Sequence, residues 1–155
     1  MHMPNPRHAT SGLRLCARSA QAVLVLLGLL LALAACGADG RYVMVGSARM
    51  PSTSGIVELE ELDGGSTLVT IHLEFLHPPR RARPDATTYV AWFHGPVGSP
   101  VRAGELLYNP ETRIGELTAT APWPKLTIRI TAESEPEPSK PSETVIASQA
   151  VEVED

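Results

Sequence analysis

His72, His77 and His94 are the histidines that follow the N-terminal 35 residues, and with Glu74 they are the side chains best suited to hold a metal ion. His72 and Glu74 lie two apart, so an extended backbone puts them on one face as two potential ligands. A mononuclear site needs His77 and His94 to converge on that pair. The surrounding residues alternate as an ordinary strand, His77 precedes Pro78 and His94 precedes Gly95, so the favoured reading is solvated polar groups on a strand face and at strand ends. Nucleophilic chemistry has no carrier, because the chain contains neither a Gly-x-Ser-x-Gly elbow nor a cysteine placed for a Cys–His pair. Carboxylate pairs for glycoside chemistry are equally poorly placed: Glu58, Glu60 and Glu61 fall on one short, edge-like strand, and Glu133, Glu135 and Glu137 lead into a proline-rich stretch. Both runs read as solvated charge. Gly-rich phosphate cradles and calcium-loop patterns do not occur. The expectation is a protein that is not an enzyme and carries no cofactor.

Binding residues are easier to nominate. Arg80, Arg81 and Arg83, with Arg102 as a potential neighbour, concentrate positive charge that suits lipid headgroups, lipopolysaccharide phosphates or an acidic loop of a partner. Trp123, bracketed by Pro122 and Pro124 in a turn, is the aromatic best placed for an exposed contact. Tyr89, Trp92 and Phe93 lie where both faces of a strand are apolar, so Tyr89 or Trp92 is expected in the core, with a loop covering the outer face.

The chain of 155 residues divides by composition before it divides by pattern. Residues 1–35 hold Arg7, Arg14 and Arg18, no acid, and an unbroken apolar run from Ala22 to Ala35. This is the layout of an export signal, and its apolar run is shorter than the roughly 20 helical residues that cross a bilayer. The rest has ten basic residues against all 17 acidic ones, which disfavours nucleic acid as a partner. Removal of the leader leaves Cys36 as the sole thiol, so no internal disulfide supports the exported domain.

Leu33-Ala34-Ala35-Cys36 resembles the lipobox of bacterial lipoproteins, in which the cysteine that becomes residue one carries diacylglycerol on its thiol. The resemblance implies lipid attachment at Cys36, and several acyl chains anchor a protein far more firmly than one. In such lipoproteins an Asp after the cysteine tends to retain the protein in the inner membrane. Gly37 at that place implies the outer membrane, facing the periplasm. Residues 36–40 then read as the lipidated residue and its tether, and residues 41–155 as the domain.

From Arg41 onward the pattern is all-β. Thr67 to Leu76 alternates with Val69, Ile71, Leu73 and Phe75 on one side, and Lys125 to Glu133 alternates with Leu126, Ile128, Ile130 and Ala132 on one side. Weaker strands are expected at Tyr42 to Ala48, Gly55 to Leu62, Thr87 to His94, Val101 to Tyr108, Gly115 to Thr120 and Glu143 to Val153. Glu60-Glu61 interrupts the alternation as a bulge or as a strand end, and Asp63-Gly64-Gly65 predicts a hairpin. Residues 76–85, with three Pro and three Arg, read as a stiff surface crossover, and residues 134–142 as an exposed, extended loop. Seven or eight short strands, each with one apolar face, are best satisfied by an Ig-like antiparallel β-sandwich; a small closed barrel is the alternative.

Thr88-Tyr-Val-Ala-Trp-Phe93, Gly104-Glu-Leu106, Leu126-Thr-Ile-Arg-Ile-Thr-Ala-Glu133 and the segment Pro141 to Ile146 are similar, in that order, to the extracytoplasmic domain of the anti-sigma-K factor family. The resemblance implies a small periplasmic sandwich over roughly residues 55 to 150. It does not extend to anti-sigma activity, since the family's zinc-containing cytoplasmic segment and transmembrane helix have no counterpart in the sequence. The expectation is a lipid-anchored, non-enzymatic binding or structural module of the cell envelope, whose partner is a protein or an envelope polymer. The alternatives are an accessory or sensor subunit of an envelope signalling or secretion system, and a metal-binding protein using the histidines.

Overall fold

The computed structural model describes residues 40–153; the apolar leader, Cys36 and residues 37–39 lie outside the described residues. Nine strands form two antiparallel sheets, β1 (Gly40–Val45), β2 (Ser54–Leu62), β3 (Ser66–Glu74), β4 (Thr88–His94), β5 (Val101–Glu105), β6 (Leu107–Asn109), β7 (Ile114–Ala121), β8 (Lys125–Glu133) and β9 (Val145–Glu152). One sheet has the order β1-β2-β3-β7-β6 and the other β5-β4-β8-β9. The expected all-β sandwich is therefore the fold.

Side-chain alternation explains how the sheets face each other. Val69, Ile71 and Leu73 of β3 and Leu126, Ile128, Ile130 and Ala132 of β8 are buried in one core, as the sequence period of two requires. Tyr89, Ala91 and Phe93 of β4 join that core, while Val90 and Trp92 are buried on the opposite side of the same strand. The outer face of β4 is covered because segment 134–142 is tied down over it. Trp92 Nε1 donates to Thr131 Oγ1 at 2.9 Å, and Thr131 in turn donates to Glu133 Oε1 at 2.5 Å. That same carboxylate oxygen accepts the Ser142 backbone N–H at 2.8 Å, and Arg102 reaches the Pro136 carbonyl with two N–H groups at 2.7 and 3.0 Å. Glu133, expected as part of a solvated run, is only 3% exposed. A carboxylate survives burial there because two donors satisfy it.

Other expectations need correction. The single strand expected from Val101 to Tyr108 is two, because the chain leaves one sheet at Glu105 and enters the other at Leu107. Glu60 and Glu61 pair regularly with Leu68 and Thr67, so no bulge occurs there and the strand simply ends at Leu62. β2 is also an interior strand, paired with both β1 and β3, rather than an edge. The bulges lie elsewhere, where Ala103 is extra against β4 and Ile146 is extra against β8. Gly40 already pairs with Leu59, so β1 includes the residue before Arg41. The hairpin at Asp63-Gly64-Gly65 forms as expected, with positive φ at both glycines.

Both open sides of the sandwich are stitched. On one side β5 runs on into β6; on the other, Gly46 bridges Ala147, Ser47 N–H donates to Ile146 O at 2.6 Å, and the Tyr42 hydroxyl bonds the Glu152 backbone. The registers also define two poles. Gly40, the β2–β3 hairpin, Lys125 and Glu152 share one end, which we call the proximal pole; Val45, Glu74, Asn109, Glu133 and Val145 share the distal pole. Nine-residue strands such as β3 separate the poles by roughly 25 to 30 Å at about 3.3 Å per residue.

Candidate functional site

The histidines do not come together. His72 Nδ1 lies 2.9 Å from Glu116 Oε1 and its Nε2 lies 3.6 Å from Glu74 Oε1, all on the exposed face of the five-stranded sheet. That face carries a shallow groove of about 690 Å³ lined by Arg41, Ile56, Glu58, His72, Leu107 and Glu116 among others. His94 is at the proximal end of β4, since it pairs with Thr127, and His77 is in the crossover after β3. No group of three or more His, Cys, Asp or Glu among the described residues is arranged to hold a metal ion.

The expected crossover is where the structure concentrates unusual features. β3 ends at Glu74, and Phe75, expected on the apolar row with Leu73, instead has φ of +56° and is 53% exposed. Leu76 takes the core position in its place. A bulky residue with positive φ costs of the order of 1 to 3 kcal/mol, so the surrounding structure must impose it. It does so by gripping three consecutive carbonyls with three side chains. Arg113 Nη2 donates to Phe75 O at 3.0 Å, the Tyr108 hydroxyl to Leu76 O at 3.1 Å and the Tyr89 hydroxyl to His77 O at 2.5 Å. The Leu76 N–H is also taken, by Arg113 O at 2.9 Å. Tyr89 and Tyr108 meet edge to face, with ring centroids 5.7 Å apart, and burial raises the pKa of both phenols, so both remain donors.

Local sequence explains how Arg113 gets there. Asn109 Oδ1 accepts the N–H groups of Glu111 and Thr112, Pro110 presets the turn, and Arg113 N–H closes it on Asn109 O at 2.8 Å. Arg113 then has φ of +60°, a place that usually takes Gly. His77 completes the cluster. Its Nε2 lies 3.3 Å from Arg113 Nη2, which can only donate, and 3.4 Å from Ser52 Oγ. Desolvation, then the charges of Arg113 and Arg81, hold the His77 pKa below its usual value, consistent with that acceptor role.

Arg80 and Arg81 follow on a single turn of 3-10 helix, Pro79–Arg81, with buried Pro79 beneath them. Both arginines are exposed and neither makes an ion pair among the described residues. Arg83 is partly neutralised by Asp85, at 2.7 and 3.2 Å. The structure thus keeps Arg80 and Arg81 as the free part of the patch, removes Arg102 to the Pro136 carbonyl, and supplies Arg113 in its place. Trp123 is not on this pole. It is half-buried beside the core, flat against Gly95, where an added Cβ would come within 2.5 Å of its ring. Phe75 and Arg113 were the residues that sequence reasoning missed. The only local signal for either was Asn109-Pro110, a turn opener that places its last residue in the left-handed region without saying what that residue touches.

Compared with protein-family models, curated proteins and solved structures, the chain matches none of them.

Proposed function

We propose that this chain is a lipid-anchored module of the bacterial cell envelope, held by diacylglycerol on Cys36 and presenting its distal pole to a partner. The observation that carries this reading is polarity. The described chain begins with Gly40 at the proximal pole, whereas Phe75, Arg80, Arg81 and Arg113 lie at the distal pole, 25 to 30 Å away by strand length. Gly40 lies four residue steps after Cys36, a span of at most about 14 Å when extended, so a lipid at Cys36 keeps the membrane at the proximal end. The distal arginines then point away from that membrane, which favours a partner in the periplasm over the headgroups of the anchoring leaflet. The module binds rather than catalyses, and Gly37 favours the outer membrane as its site.

Mass spectrometry of protein extracted from membranes tests the anchor. The expected result is an N-terminal peptide that starts at an acylated Cys36, and a Cys36→Ser variant that is neither acylated nor retained on membranes. An unmodified cysteine in a soluble, processed protein would replace this reading with a freely secreted domain.

A further inference from the structure

The proposal above leaves the partner's chemistry open, and the distal pole narrows it. Among the described residues, Phe75 is the one aromatic side chain among the large exposed hydrophobics. Its exposure is constructed, because β4, β6 and the β6–β7 turn each donate a hydrogen bond to the carbonyls that hold it outward. Arg80 and Arg81, on the crossover that follows Phe75 at the same pole, are exposed and unpaired among the described residues. Arg113 is already engaged with Phe75 O and His77, so it braces the ring and adds positive charge rather than a free donor. The chemistry on offer is an apolar anchor on the same pole as two free guanidinium groups, which pair best with carboxylates or phosphates in a forked geometry.

The flanks decide between those anions. Glu74 immediately precedes Phe75, Glu111 sits in the turn that carries Arg113, and Asp85 lies beyond Arg83, all three exposed. A uniformly charged anion gains from the arginines alone and is opposed by these carboxylates. An acidic segment that also carries an apolar side chain gains from the exposed phenyl ring as well. We infer that Phe75, Arg80 and Arg81, with Arg113 holding Phe75 outward, form a docking site for a short acidic polypeptide segment whose carboxylates flank an aromatic or aliphatic side chain. This deepens the envelope-module reading by naming the class of its partner, and it stands on geometry that does not involve Cys36.

The test uses the full chain in neutral detergent and a fluorescently labelled random copolymer of Glu and Tyr, read by anisotropy at low salt. Poly-Glu and phosphatidylglycerol vesicles are the comparison probes. The expected result is binding of the copolymer in preference to poly-Glu, weakened about tenfold by Arg80→Glu/Arg81→Glu and about tenfold by Phe75→Ser, as for loss of an interface anchor. Phe75→Ser is expected to leave the weaker binding of poly-Glu unchanged. All three substituted positions are exposed, and a thermal melt that matches the parent keeps the comparison one of surface chemistry. Equal binding of copolymer by the parent and both variants overturns the inference, as does failure to bind it at all. Binding of vesicles that depends on Arg80 and Arg81 but not on Phe75 would make the pole a lipid site and overturn it too. An acylated Cys36 with no copolymer binding leaves the anchor standing and removes this site; copolymer binding with an unmodified Cys36 does the reverse.

Discussion

Arg113 donates to the carbonyl oxygen of Phe75 at 3.0 Å, and these two are the non-glycine residues with positive φ among those described. The return bond runs from Leu76 N–H to Arg113 O at 2.9 Å, so each unusual backbone conformation braces the other. The pair converts a turn defect on one strand connection into the placement of an aromatic ring on another.

Substituting Arg113 separates the two contributions. Arg113→Ala loses the bond to Phe75 O while keeping a side chain in the left-handed region, and is expected to destabilise by about 1 to 2 kcal/mol. Arg113→Gly loses the same bond but relaxes the backbone, and should be about 1 kcal/mol more stable than the Ala variant. Chemical denaturation of both variants measures the difference, and equal midpoints would mean that the turn carries no strain.

Glu133 is the peg for segment 134–142. Its Oε1 accepts from Thr131 and Ser142, so Glu133→Ala leaves the Ser142 N–H without its acceptor and Thr131 with only the Val90 carbonyl at 3.4 Å, and is expected to cost about 2 to 3 kcal/mol. Glu133→Gln retains an acceptor oxygen and should cost about 1 kcal/mol or less. Limited proteolysis should cut the Ala variant within residues 134–142 well before the parent, and identical digestion patterns would argue against the peg.

Gly95 makes room for Trp123. A Cβ at residue 95 would lie 2.5 to 2.8 Å from three atoms of the indole, so Gly95→Ala must displace the ring at a cost of about 1 to 3 kcal/mol. The expected reading is a red shift in tryptophan emission together with a lower melting temperature. An unshifted spectrum would show that Trp123 does not rest there.

Acid should weaken the fold through His77 and His94. Burial and neighbouring guanidinium groups, Arg113 and Arg81 for His77 and Arg129 for His94, lower both pKa values from the usual 6.5. The unfolded chain therefore binds more protons than the folded one in the window from 6.5 down to the lowered values. Stability falls as pH drops through that window, and above it the two residues contribute no pH dependence. Unfolding curves between about pH 5 and 7 should show this slope, and His77→Asn with His94→Asn should flatten it. A slope unchanged in the double variant would assign acid sensitivity to other groups.

Strands that bury one face were legible residue by residue. Lys125–Glu133 has the boundaries its alternation indicates, because a period of two images a dry side, although Thr131 and Glu133 on its polar side are buried as well. The covered outer face of β4 was legible too, since Trp92 and Val90 left that strand with no polar side. What stayed hidden depends on long-range partners. Nothing near Phe75 in sequence announces that Tyr89, Tyr108 and Arg113, 14 to 38 residues onward, will hold its neighbourhood, and an apolar residue at the end of an apolar row reads as core. Glu133 was misread for the same reason, because its satisfying donor, Ser142, lies nine residues away across a proline-rich stretch. Of the candidate patch, Arg80 and Arg81 are exposed and unpaired as a surface patch requires, whereas Arg102 and Trp123 have structural occupations.

β1 runs from the proximal to the distal pole and forms six residue pairs with β2 before Gly46 bridges to β9. If the chain is held at Gly40 and a partner is held at the distal pole, tension lies along β1 rather than across it. The hydrogen bonds to β2 stand perpendicular to that pull, so they are loaded together in shear instead of being unzipped one at a time. The bridge at Gly46–Ala147 adds a second sheet to the same load path. The stitched side of the sandwich is thus a mechanical joint, suited to a protein fixed at one end that must keep its shape while something is attached to the other.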